Sequence, residues 1–273
     1  MPYSFSQLNT YRTCPRQYEF ANVKKISRSI SAGESFGSSV HNTLSKWGKL
    51  EIGLGSRGLG LGNQLALFQS VEEESPLPLS FDTLSRLWHQ SFIFQGYASK
   101  VDGDKARAKG EVLMQHFFEW WIEKEREVLA VERGVRLKEG KDSKDSKDSQ
   151  DLIIAGRFDR VEEDSGSSNV IDFKTGGLRT QEEVDADLQL SIYALAAEQE
   201  FDMPCTKLTL MFLHEDGITE VHTSRSDGQL AEAMQQIYVL SGDIEDAQFD
   251  PTPSLGACGR CPYKGVCDAA ILS

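Results

Sequence analysis

Asp172 and Lys174 stand two apart in the run Val170, Ile171, Asp172, Phe173, Lys174, and alternate residues of a strand project to the same face. A carboxylate beside a lysine can help bind a cation and stabilise growing negative charge, two demands of phosphate-ester hydrolysis. Most Asp-x-Lys triplets are ordinary ion pairs on an exposed edge strand. Here Val170, Ile171 and Phe173 are apolar, so at least one face of the strand is expected to be buried, and a buried charge must be paired or bind a metal. Asp159 has a similar setting between Phe158 and Val161. His41 alone reads as a satisfied or solvated histidine; Gly37 before it and its place after a first helix bring it into the candidate set.

The cysteines form a second constellation. Cys258, Cys261 and Cys267 supply three thiols within ten residues, whereas a tetrahedral metal or a four-iron cluster needs four ligands; Cys14 is the obvious fourth. The start Met1, Pro2, Tyr3, Ser4 lacks the basic and apolar blocks of an export signal, so a cytoplasmic location is expected, where thiols stay reduced and clustered cysteines point to metal rather than disulfides. Cys205 lies against the apolar run of residues 206–213 and reads as a buried core thiol. No stretch is apolar for long enough to suggest a membrane span.

These residues resemble the RecB-like branch of the PD-(D/E)XK nuclease superfamily. Its signature is an acid two positions before a lysine, with another acid on the preceding strand, here Asp172, Lys174 and Asp159. The segment Tyr3, Ser4, Phe5, Ser6 through Tyr11, Cys14, Pro15 and Tyr18 looks like the family's opening helix. Gly37 to His41 looks like its histidine motif, and Gln189 with Tyr193 is similar to its Gln-x-x-x-Tyr helix. The resemblance covers most of the chain. It implies an α/β fold with a restriction-endonuclease-like core, a mixed sheet flanked by helices, a helical N-terminal part and a cysteine-rich C-terminal tail.

The resemblance further implies a hydrolase that cuts DNA with Mg2+ or Mn2+. Asp159 and Asp172 would be carboxylate ligands, His41 the nitrogen ligand and the Phe173 carbonyl a fourth, while Lys174 orients the attacking water. Gln189 and Tyr193, four apart and so on one helix face, would meet the phosphate or base. Glu132 resembles an acidic position of the family that would hold Lys174 or a metal-bound water. Arg157, Arg160 and Arg179 are candidate phosphate contacts or plain solvated charges. Relatives with one N-terminal and three C-terminal cysteines carry a 4Fe-4S cluster, with structural Zn2+ the alternative reading here. The expected substrate is DNA, single-stranded or end-containing. An exonuclease of repair and recombination, served by a helicase or repair partner, is the first reading; a nuclease of CRISPR adaptation and a non-catalytic DNA-binding scaffold are the others.

One domain over residues 1–273 is expected, with a helical insertion over about 51–127 and a cysteine tail over about 251–273. A first helix should run from Ser4 or Ser6 to about Val23, and a second should hold His41. The Gly/Leu alternation of 51–63 reads as a flexible connector, since it lacks the lysine of a phosphate loop. Helices are predicted over 80–97 and 104–130, the latter amphipathic around Val112, Leu113, Phe117, Trp120 and Trp121. Strands follow from Val128 and over 151–162 and 168–174, then a helix over 181–200, strands over 205–214 and 218–224, and a helix over 226–243. The apolar-free repeat within 139–150 reads as a disordered loop. Acidic side chains number 42 against 29 basic ones, a net charge of −13, which argues against tight autonomous DNA binding and for a local basic groove or delivery by a partner.

Overall fold

The structure, a computed structural model, describes residues 2–58, 79–123, 125–139 and 152–271. Six strands form one mixed sheet: β1 (Tyr3–Ser4), β2 (Val128–Glu139), β3 (Leu152–Asp164), β4 (Ser167–Lys174), β5 (Cys205–His214) and β6 (Gly217–Thr223). The long β3 is its spine. One edge of β3 pairs antiparallel with β2. The other is shared, with β1 parallel to Ile154 and Ala155 at its start and β4 antiparallel to residues 160–164 at its end. The β4 strand then runs parallel to β5, from Asn169 against Lys207 to Lys174 against Phe212. A parallel pair needs a crossover; it is supplied by α6 (Gln181–Asp185) and α7 (Leu188–Phe201).

Period-two alternation divides β4 between two cores. Val170 packs with Phe158, Leu190, Tyr193, Ala194 and Leu210 on the α7 side. Ile171 and Phe173 pack on the other side with α3 (Ala32–Gly58), α4 (Phe81–Ser91) and α5 (Lys100–Ile122), through Val40, Trp47, Trp88 and Phe117. A third cluster joins α1 (Phe5–Thr13) and α8 (Asp227–Glu245) to the far end of β2 and β3 through Leu8, Leu137, Ile154 and Ile237.

Several boundaries differ from the sequence reading. The first helix breaks at Cys14, whose extended backbone (φ −165°) ends α1 and precedes Pro15 at the start of α2 (Pro15–Tyr18); a π-helical turn over Glu19–Val23 completes the segment. The α3 helix continues through Gly58, so residues 51–58 are helical and not a connector; 59–63 and the loop 140–150 lie outside the described residues. The α4 helix stops at Ser91 and α5 spans Lys100–Ile122, capped by the Ser99 hydroxyl; Val112 faces outward while Leu113, Phe117 and Trp120 are buried. The expected 181–200 helix is split at Asp187, whose carboxylate accepts the N–H groups of Gln189 and Leu190 and so starts α7 afresh.

The contact between α4 and α5 depends on Gly110. A Cβ built there would lie 1.9 Å from Trp88 Cζ2, and Trp88 is fully buried and anchored by its indole N–H on the Arg107 carbonyl (2.9 Å). Alanine favours a helix interior by about 1 kcal/mol over glycine, while overpacking a filled core typically costs 1–3 kcal/mol. The clash should dominate. Gly110→Ala is expected to lower stability by about 1–2 kcal/mol, measured as a lower urea midpoint.

Candidate active site

β3 and β4 part company at the acids. Their ladder ends at Arg160 with Ile171, so Asp159 and Asp172 stand where the strands begin to diverge. Asp159 bridges the gap: its Oδ2 accepts the Phe173 N–H at 2.9 Å. Its other oxygen, Oδ1, lies 3.1 Å from His41 Nδ1 on α3. The N-terminus of α3 is held by a capping exchange in which Ser31 Oγ accepts the Glu34 N–H and Glu34 accepts the Ser31 N–H, while Arg28 grips Glu34 with both guanidinium ends (2.6 and 2.9 Å). Gly37 lets α3 approach the loop after β4, since a Cβ there would sit 3.3 Å from Thr175 Oγ1.

Asp172 and Lys174 point to the α7 side, as their spacing predicts. Lys174 Nζ is 2.5 Å from Asp172 Oδ2 and donates to Gln189 Oε1 at 3.2 Å. The Gln189 amide N–H2 donates to Asp172 Oδ1 (3.1 Å) and to Tyr193 Oη (2.7 Å), and the Tyr193 hydroxyl donates to the Arg157 carbonyl (2.8 Å). All six predicted side chains, His41, Asp159, Asp172, Lys174, Gln189 and Tyr193, therefore meet around the split between β3 and β4, with Gln189 linking Asp172, Lys174 and Tyr193. Tyr193 is at once a core residue and a member of this network.

The site is rich in carboxylate. Asp172 is 3% exposed; burial first, and then the Asp159 charge, push its pKa up against the opposing pull of Lys174. Burial pulls Lys174 down, but the charge and hydrogen bond of Asp172 outweigh it, so the net shift is upward and the side chain stays an ammonium. Burial likewise pulls the His41 imidazole down, and the hydrogen bond and charge of Asp159 reverse that into a net rise. Asp172 Oδ2 is buried, with the Lys174 ammonium as its ion-pair partner. A buried carboxylate close to a second carboxylate and an imidazole fits a hard divalent cation.

Among the described residues, His41, Glu132 and Asp159 are the group of three possible ligands whose donor atoms all lie within 4.8 Å of one another. Asp172 falls outside that compact group, and Glu132 pairs with Arg157 (3.1 Å). The other arginines are placed differently from the sequence reading. Arg160 is neither a solvated charge nor at the surface: it is buried between Glu51 and Glu162. Arg179 is held by Asp187.

At the far end, Cys14, Cys258, Cys261 and Cys267 line one cavity, with Arg16 and Lys264 also on its wall. Cys258 lies in the short α9 (Leu255–Arg260) and Cys261 caps it. Burial, followed by the proximity of Cys14, Cys267 and Cys258, raises the Cys261 thiol pKa. Aromatic and polar contacts tie the chain ends together here: Tyr18 stacks on Phe249, Phe20 meets Tyr263 edge-on, and Arg16 donates to the Phe249 carbonyl. Cys205 stands apart on β5, its thiol pushed up to about 11 by burial.

A family model described as "PD-(D/E)XK nuclease superfamily" matches residues 2–268. The "Gene 69 protein" of Mycobacterium phage L5 is 22% identical over 286 residues, covering 97% of this chain and 95% of that protein. A solved structure named "Putative exonuclease", from Eubacterium rectale, aligns over 100% of this chain and 89% of its own at 11% identity, with a TM-score of 0.48. The structure named "Crystal structure of SSO0001" aligns over 62% of this chain and 76% of its own at 21% identity, with a TM-score of 0.40.

Tyr193→Phe removes one hydroxyl that serves both Arg157 and Gln189. Losing those two hydrogen bonds should cost about 1–3 kcal/mol, read from the denaturation midpoint, and free Gln189 to turn away from Asp172.

Proposed function

The chain belongs to the PD-(D/E)XK nuclease superfamily, and from that premise we propose that it is a divalent-metal-dependent deoxyribonuclease of the RecB-like branch, acting as an exonuclease on single-stranded or end-containing DNA in repair and recombination. The observation that carries this reading is the meeting of Asp159, Asp172, Lys174, His41 and Gln189, from four separate elements, where β3 and β4 diverge. His41, Asp159, Asp172 and the Phe173 carbonyl would hold Mg2+ or Mn2+, the imidazole favouring Mn2+. Bound there, the ion supplies charge neutralisation at the scissile phosphate and a more acidic water.

The side chains divide the remaining work. Lys174 has three N–H donors. Asp172 and Gln189 engage it on one side, leaving donor capacity for the attacking water or a phosphate oxygen. As an ammonium it is a poor base; its contribution is to orient the nucleophile and to offset charge that builds in the transition state. Gln189 holds Asp172 and Lys174 in register, and Tyr193 holds Gln189.

The net charge of −13 repels DNA at long range, which supports delivery of the substrate by a helicase or repair partner. No helix among the described residues is long and apolar enough to cross a membrane.

The cysteine cavity is read as the seat of a 4Fe-4S cluster. Four thiols lining one cavity, one from the N-terminal segment and three from the C-terminal tail, support the cluster over structural Zn2+, and the side chains of Arg16 and Lys264 would offset thiolate charge. Since Cys14 precedes strands β2–β6 in sequence and the other three cysteines follow them, ligation would link the two ends of the fold.

Two outcomes are expected. Anaerobically purified protein should degrade end-labelled single-stranded DNA with Mn2+ or Mg2+ and not with chelator, and should spare circular single strands. Lys174→Met should lower kcat by about 10²–10³-fold; activity within a few fold of the parent would remove Lys174 from the site. Secondly, Cys14→Ser should cost as much iron and thermal stability as Cys261→Ser, while Cys205→Ser keeps both, by iron analysis and Tm. One zinc and no iron in the parent would replace the cluster with the alternative metal.

A further inference from the structure

Glu132 is the least conventional residue of the crevice. It sits inside β2, where Val131 pairs with Arg160 and Arg133 with Phe158, yet its own φ is +51°, in the left-handed region. A non-glycine residue rarely holds that conformation, and one that does within a strand is kept there by its surroundings, commonly at a functional site. The twist places its carboxylate within 4.8 Å of the His41 and Asp159 donor atoms. The side chain is 16% exposed, and the ion pair recorded for it is with Arg157, itself 67% exposed.

We propose that Glu132 is a direct ligand of the divalent cation, together with His41 and Asp159, and that Arg157 covers its carboxylate until the cation binds. The proposal rests on the metal-dependent reading above and departs from it in the ligand set, because Glu132 there serves at most a metal-bound water or Lys174. The chemistry is consistent: one imidazole nitrogen and carboxylate oxygens suit Mn2+, and with Glu132 added to His41, Asp159, Asp172 and the Phe173 carbonyl a six-coordinate ion keeps one position open for water or phosphate. An ion pair with one exposed arm is weakly held, so a cation can displace Arg157. Once released, Arg157 lies beside the metal as a free guanidinium, suited to the phosphate of the substrate.

Backbone strain separates a ligand from a structural acid. If Glu132 holds its conformation for the metal, glycine should occupy the position without loss of stability. Mn2+ titration calorimetry on the full chain is therefore expected to show at least about tenfold weaker binding for Glu132→Gln and Glu132→Gly, with the Tm of metal-free Glu132→Gly no lower than the parent's. Pulsed EPR then tests direct ligation: bound Mn2+ should couple to one imidazole nitrogen in the parent and to two in Glu132→His. Mn2+ affinity of Glu132→Gln within twofold of the parent would overturn the proposal, and so would a single coupled nitrogen in Mn2+-loaded Glu132→His. Should Glu132→His bind no Mn2+, the Glu132→Gln titration decides. Asp159→Ala serves as the control for the underlying reading. If it retains Mn2+, the metal site itself is misassigned; if it loses Mn2+ while Glu132→Gln does not, only the present proposal fails.

Discussion

The carboxylate of Asp159 takes the place of a missing rung. Where β3 and β4 separate, the Phe173 N–H would lose its ladder partner, and a buried unpaired donor is costly; Asp159 Oδ2 accepts it instead. This one bond lets the sheet open without exposing raw backbone. It also turns Asp159 Oδ1 toward His41 on one side of the sheet, while Asp172 and Lys174 face α7 on the other. The crevice between the two cores exists because a side chain, rather than a backbone, closes the gap.

Opening the sheet brings acids together, and their mutual repulsion has to be contained. Lys174 answers Asp172 directly, and Gln189 adds a neutral hydrogen bond to the same carboxylate. Immediately beyond, Arg160 is fully enclosed by Glu51 and Glu162, with Trp121 also donating to Glu51. Removing a single partner of such a buried network leaves an uncompensated charge, so it is strongly committed to one geometry. That network ties α3, which carries His41, to β3, which carries Asp159. The alignment of the two candidate ligands is thus supported by ion pairing away from the crevice as well as by packing of Val40, Leu44 and Trp47.

The cysteine end is organised by different forces. Stacked and edge-on aromatics, Tyr11, Tyr18, Phe20, Phe249 and Tyr263, bring the first twenty residues against the last twenty-five or so. Their contacts gather the four thiols around one cavity. Ligation would then add to an arrangement that apolar packing already favours, which lowers the ordering cost of assembling four ligands from distant points of the chain.

Much of this was legible before folding. The alternation through Val170 to Lys174 identifies a strand with an apolar and a charged face, because the period of two is a property of extended backbone; the four-residue spacing of Gln189 and Tyr193 places them on one helical face for the same kind of reason. The clustering of Cys258, Cys261 and Cys267 is likewise local. Other features were decided only by tertiary structure. Nothing in the residues near Arg160 separates a phosphate contact from a charge buried against Glu51, 109 positions away, since burial is set by what packs on top. The Gly/Leu alternation of 51–58 has the composition of a connector, yet the backbone there continues α3. Glu132 is one acid among 42, and its left-handed twist toward His41 and Asp159 is a product of strands and a helix brought together from three distant stretches of the chain, a long-range constraint with no local sequence pattern to announce it.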